Sequence, residues 1–332
     1  MHMADALVSP VVAGTMYACS AVAAGYSLKK IQREDINHKI PVMGVLGAFV
    51  FATQMINFTI PGTGSSGHLT GGMMLSAILG PEAGFLTMIA ILLIQCLMFA
   101  DGGILAMGCN VWNMGFYGCF VGGYLIWNAF MRGGITKSRI VWASLLGCVL
   151  SLLLGAFSVT LETLASGITE LPFTTFVSFM LPIHLVIGLV EGVITASVLL
   201  FILNTRPSLL QGYEASGNQR KMMGVMKVSA ILGACALVIA GLFSWFASSN
   251  PDGLEWSLEK VTGSTELEAE GSLHQWAESA QENMALLPDY GFSGSESNLG
   301  TTVSGVLGAA LVLLLSVAIC LLIKRVKHEP HQ

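Results

Sequence analysis

Charge is what this 332-residue chain has least of: 11% of it is Asp, Glu, Lys or Arg, whereas 54% is hydrophobic. Soluble domains carry about a quarter charged residues, and no soluble core absorbs that much apolar surface, so the composition reads lipid as the solvent. The 15 basic residues fall in short clusters rather than a stripe, which excludes nucleic acid as a partner. None of the seven cysteines (Cys19, Cys96, Cys109, Cys119, Cys148, Cys235, Cys320) has CxxC spacing, and all sit in apolar segments as small buried hydrophobes. There is no GxxxxGK[ST], hence no P-loop ATP site, and no HExxH. No basic residue precedes the first apolar run and no cleavage region follows it, so Met1 and His2 are expected to remain in the mature protein.

What the chain does have is apolar segments of spanning length, at about 7–28, 40–60, 69–80, 82–100, 104–131, 139–165, 172–204, 223–247 and 303–323. The third is too short to cross alone. With Pro61 to Gly67 before it and Gly80-Pro81 after it, it reads as a half-helix with a re-entrant entry loop, a backbone tolerated at membrane depth only inside protein or beside water. The expected fold is an all-α integral membrane protein of about nine membrane segments: a seven-segment core, 1–222, then a two-helix module, 223–332, around an acidic loop at 248–302.

Placing the N-terminus outside and alternating sides puts 14 of the 15 Lys and Arg residues on the cytoplasmic face, leaving only Lys260 outside. The acidic loop then lies outside and the basic tail inside. Beyond a short helix around 272–287, the Gly/Ser content of that loop suggests modest order.

Met1-His2 offers an α-amine, the amide nitrogen of residue 2 and an imidazole. Amine and amide nitrogen would close a five-membered chelate ring, amide nitrogen and Nδ1 a six-membered one. Such a nearly planar nitrogen set suits Ni²⁺ and Cu²⁺ above all, and a fourth ligand must come from elsewhere. His68, in Ser66-Gly67-His68-Leu69-Thr70-Gly71-Gly72, falls on the same side of the membrane, among glycines that let backbone come close.

Four stretches resemble the CbiM/NikM family, the substrate-binding components of cobalt and nickel energy-coupling-factor transporters: Met1-His2-Met3-Ala4-Asp5, Gly67 to Gly72, Phe99-Ala100-Asp101-Gly102-Gly103 with Asn110 and Asn113 following, and His184 to Gly192. The resemblance covers about 1–204 and implies Met1, His2 and His68 as metal ligands, Co²⁺ or Ni²⁺ as transported substrate, and two kinds of partner, a membrane-embedded CbiQ-like coupling subunit and CbiO/NikO-like ATPases. Ala6 and Met3 depart from the Gly and Ile common in the family, but neither removes a ligand. Asn250-Pro251-Asp252-Gly253-Leu254-Glu255-Trp256 resembles the PDGLE signature of NikN/CbiN-like proteins, so the chain looks like a fusion of two components. The expected ligands all lie in the first.

His184 and Glu191 share one helix face two turns apart, either as a metal relay or gate or as structural hydrogen-bonding groups. Asp101 is either a partner for a ligand imidazole or a plain turn-former. Asn110 and Asn113 orient the site or bond helix to helix, and Met3 is near enough to line it. Gly14/Ala18 and Ala21/Gly25 make small-xxx-small pairs, a docking face for the coupling subunit or an internal seam. Two other function classes are an intramembrane metalloenzyme using His68, His184 and Glu191, and a sensor or assembly protein that holds metal without moving it.

Overall fold

The computed structural model describes residues 1–33, 40–214, 223–268, 271–292 and 297–327. The expected boundary near 222 lies outside these, as do short pieces of the acidic loop and of the tail.

Each segment expected to be helical contains a helix, but the second, expected over 40–60, is helical only to Gln54. Ser9 caps α1 (Pro10–Ile31), with Pro10 preset for the first turn. α2 (Ile40–Gln54) leads into an antiparallel hairpin, β1 (Phe58–Ile60) with β2 (Ser65–Gly67), which pairs Thr59 with Ser66. β1 thus replaces the end of the second expected helical segment, and β2 the end of the expected irregular entry loop. α3 (Gly72–Leu79) is the short half-helix, ended by Gly80 and by Pro81, which opens α4 (Pro81–Phe99). A continuous helical stretch over 107–131 follows: α5 (Met107–Asn110), a π-wound run (Val111–Ile126) and α6 (Trp127–Met131). α7 (Lys137–Ser166) and α8 (Phe173–Thr205) form a long hairpin.

Small residues set the helix contacts, as expected where lipid supplies no hydrophobic drive between helices. A Cβ on Gly72 would lie 2.9 Å from the Gly118 Cα, and Cβ atoms on Gly188 and Gly192 would lie 2.9 and 2.8 Å from the Cα atoms of Val149 and Leu145. α3 is thereby pressed against the π-wound run, and α7 against α8.

α9 (Val225–Gly241) and α12 (Asn298–Lys327) pack on α2, and α12 also reaches α4. Between them the acidic segment folds back over the N-terminal end of the bundle. It forms α10 (Gly253–Thr262), which no expectation included, and α11 (Ser272–Met284), close to the expected 272–287. Trp256 Nε1 donates to the Thr63 carbonyl (3.0 Å), the His274 ring to Val8 O (3.0 Å), and Gln281 Nε2 to Gly102 O (2.7 Å). The described part of the loop is therefore docked helix rather than loosely ordered chain. Among the described residues, five helices (within 10–31, 81–99, 137–166, 173–205 and 299–323) are long and apolar enough to cross a membrane, and 41–54 and 225–241 are shorter apolar helices.

Candidate metal centre

The first nine residues thread into the bundle instead of trailing from it; Met1 is 4% and Met3 0% exposed. Their backbone needs partners away from water, and Asn110 supplies two: its Oδ1 accepts from Met3 N–H (2.7 Å) and its Nδ2 donates to Met3 O (3.1 Å). Gly103 N–H also donates to Met3 O (2.9 Å), and Asp5 Oδ1 accepts from Ala106 N–H (2.9 Å). Gly102, at φ +82°, makes this turn possible, since a Cβ there would lie 2.7 Å from Asn110 Nδ2. Asn113 donates to Glu162 (2.7 Å) and touches Met3 Sδ (3.7 Å). Asn110 thus fixes the entering segment, while Asn113 only touches the Met3 sulfur packed behind it.

So held, the α-amine of Met1 meets His68. The His68 Nδ1–H donates to Leu69 O (3.1 Å), leaving Nε2 as a lone pair that accepts from the amine at 3.1 Å. Two donors about 2.1 Å from one ion and about 90° apart sit about 3.0 Å from each other, so this pair already stands at the spacing of neighbouring ligands. Glu191 holds the loop that carries His68: its carboxylate accepts from Thr70 N–H (2.8 Å), Gly71 N–H (2.9 Å) and Thr70 Oγ1 (2.9 Å). Gly71 sits at φ +78° with Val50 against it, a conformation and a space that only glycine fits.

The His2 ring stacks on His68, centroids 5.2 Å apart. A chain of amides fixes its tautomer. Gln54 Nε2 donates to Thr70 O (2.7 Å), Gln95 Nε2 to Gln54 Oε1 (2.9 Å), and so His2 Nε2–H to Gln95 Oε1 (3.2 Å). Burial pushes the imidazole down to about 4, although Asp101 opposes this. In the neutral ring Nδ1 presents a lone pair to Asp101 Oδ1, 3.0 Å away. Two acceptors facing each other are a contact that only a proton or a cation between them relieves. Asp101 is itself positioned by Tyr290, whose hydroxyl donates to Oδ2 (2.6 Å).

One residue of the centre comes from the far end of the chain. Asp252 Oδ2 accepts from the Met1 amine and lies 3.7 Å from His68 Nε2. Burial works against its ionisation, but the α-ammonium beside it holds the carboxyl below the usual range. A cavity of about 10 Å³, room for roughly one water, is lined by Met1, His68, Thr70, His184, Asp252 and Gly253, among others. His184, 1% exposed, donates Nδ1–H to Met180 O (2.7 Å), and its Nε2 has no partner. Glu191 is committed to the loop. Among the described residues no three His, Cys, Asp or Glu side chains are spaced to share an ion.

The geometry brings together Met1, His2, His68 and Asp101, with Asn110 and Asn113 behind them. His184 faces the same cavity, whereas Met3 does not line it. Sequence reasoning missed Asp252, Gln54 and Gln95.

A mostly helical membrane bundle with nitrogen donors gathered at one end defines a class, the polytopic metal-uptake proteins. Residues 2–209 match the CbiM family model, described as a cobalt uptake substrate-specific transmembrane region, and residues 226–325 match the PDGLE domain. The chain belongs to the CbiM family, fused to a NikN-like PDGLE module. A relative from Archaeoglobus fulgidus that carries the name NikMN is 32% identical over 326 residues, 96% of this chain and 98% of that one. The fused nickel transport protein NikMN of Rhodobacter capsulatus is 28% identical over 340 residues, 94% and 95% of the two chains. A crystal structure of a truncated transition metal transporter superposes with TM-score 0.55 at 28% identity, covering 61% of this chain and 99% of that one.

Proposed function

We propose that the chain captures Ni²⁺ or Co²⁺ at the extracytoplasmic face of the cytoplasmic membrane, through the Met1 amine, the amide nitrogen and Nδ1 of His2, and Nε2 of His68. It works as the substrate-specific component of an energy-coupling-factor transporter. The observation that carries the reading is the 3.1 Å approach of the amine to the lone pair of His68, held on both sides by built hydrogen-bond chains. In this reading His2 Nδ1 exchanges Asp101 for the ion, and the unpartnered Nε2 of His184 is the next donor inward. Nitrogen ligation favours nickel by ligand-field preference, yet affinity order alone seldom sets cellular choice, and cobalt suits the same donors.

The division at about 222 separates the capture body from the PDGLE module, and the nine segments cross with the N-terminus outside and the C-terminus inside. Gly14, Ala18, Ala21 and Gly25 form one exposed face of α1, with open space beside both glycines. That face suits close approach by the coupling subunit, while separate ATPases supply energy. The test is uptake of radiolabelled nickel and cobalt by membranes carrying the whole complex. Uptake should require the ATPase subunits; uptake undiminished without them contradicts the reading.

A further inference from the structure

We propose that Asp252 is itself a ligand of the captured ion, so that the docked PDGLE module contributes a donor to the capture site. This rests on the capture reading above and adds a donor from the second half of the chain.

The carboxylate is placed by construction. Its Oδ1 caps α10, accepting from Leu254 N–H (2.7 Å) and Glu255 N–H (3.0 Å), while Asp252 N–H donates to Glu255 Oε2 (2.9 Å). The backbone just before it is pinned to the strand leading to His68: Ser66 N–H donates to Pro251 O and Ser66 Oγ to Asn250 O, both 2.8 Å. Gly253 lies so close to His184 that a Cβ there would sit 3.0 Å from its Cε1. One oxygen, Oδ2, is left over, and it is aimed at the amine.

The separations fit a shared ion. Donors about 2.1 Å from one centre lie at most about 4.2 Å apart. Met1 N and His68 Nε2 are 3.1 Å apart, Oδ2 and His68 Nε2 are 3.7 Å apart, and Oδ2 bonds the amine directly.

Charge points the same way. A dication bound by one deprotonated amide nitrogen and one carboxylate is a neutral centre, which a buried site favours over an unpaired charge.

The test uses the full chain beginning at Met1, titrated with Ni²⁺ alone and with Co²⁺ alone, as native protein, Asp252→Asn and Glu259→Gln, an exposed carboxylate on the same helix. Asparagine caps a helix as well as aspartate does, so α10 keeps its cap, which unchanged helical content verifies. Asp252→Asn should weaken binding by more than the roughly 10- to 100-fold typical of an outer partner and should change the ligand-field spectrum of bound Co²⁺. Glu259→Gln should do neither. An unchanged spectrum, or tighter binding because the carboxylate merely competes with the ion, overturns the proposal. If Asp252→Asn does not fold, the infrared difference spectrum of the native protein on adding Ni²⁺ decides: a carboxylate band must shift, and none shifting overturns it. Native protein that binds neither ion sinks the capture reading itself, whereas native binding with no response to Asp252→Asn sinks only this inference.

Discussion

The carboxylate of Asp252 and the α-amine of Met1, 251 positions apart in sequence, are bonded to each other inside the protein. The start of the chain is therefore roofed by the PDGLE segment. With all ligands expected in the first module, loss of the acidic loop should impair uptake more than binding. With Asp252 as a ligand, deletion of 248–302 should weaken equilibrium nickel binding as well as uptake. Calorimetric titration of the deleted protein checks this, and native affinity after deletion would show the roof to be dispensable for capture.

Glu191 orders the loop behind His68 by accepting from two N–H groups and a hydroxyl. Glu191→Gln offers one acceptor oxygen where two served, leaving a buried donor unpaired at a cost of about 1–3 kcal/mol. Lower thermal stability together with weaker metal binding is the expected result. Full affinity at reduced stability would mean that the loop holds His68 without this carboxylate.

Asn110 touches no proposed ligand atom, yet it pairs both backbone groups of Met3. Asn110→Ala should lower nickel affinity about 10- to 100-fold, as removal of a supporting partner does elsewhere, with His2 and His68 intact. Equilibrium titration is the check. An unaltered affinity would show that the N-terminal strand is positioned by Gly103 and Asp5 alone.

The His2 imidazole, pushed down to about 4 by burial, should not titrate near 6.5, where an exposed one does. Its folded value lies below its unfolded one, so between those values the unfolded chain binds the extra proton. This group's contribution to stability is full above about 6.5 and is lost as pH falls toward about 4. The ring resonances of His2 followed by NMR in metal-free protein should show a midpoint near 4. A midpoint near 6.5 would place the ring in a wetter or more acidic surrounding than Gln95 and Asp101 provide.

Much of this was legible in the sequence, because helix length in lipid is set by bilayer thickness and the apolar runs mark it directly. That Met1, His2 and His68 come together was legible because their chemistry is local and unusual. Asp101 was half legible, as a carboxylate among glycines that is either turn or partner. Asp252 was not, since one carboxylate among ten in an acidic stretch reads as solvated charge. Its signal was the Asp252-x-x-Glu255 capping box, which announces a helix and hence a fixed carboxylate. Gln54 and Gln95 were hidden because a lone amide in an apolar helix has no partner until the fold supplies one. The hairpin at 58–67 was obscured by Gly and Ser, which read as loop until cross-strand pairing fixes them.

The account's central claim is that the amine of Met1 is a metal ligand, and adding residues ahead of it tests this most directly. An N-terminal extension turns the amine into an amide and fills the space beside His68 and Asp252, while a tag after Gln332 stands at the other end of the chain. Isothermal titration with Ni²⁺ of native, N-extended and C-tagged protein should give equal affinity for the native and C-tagged forms and a sharp loss for the N-extended one. Equal affinity in all three would contradict the account.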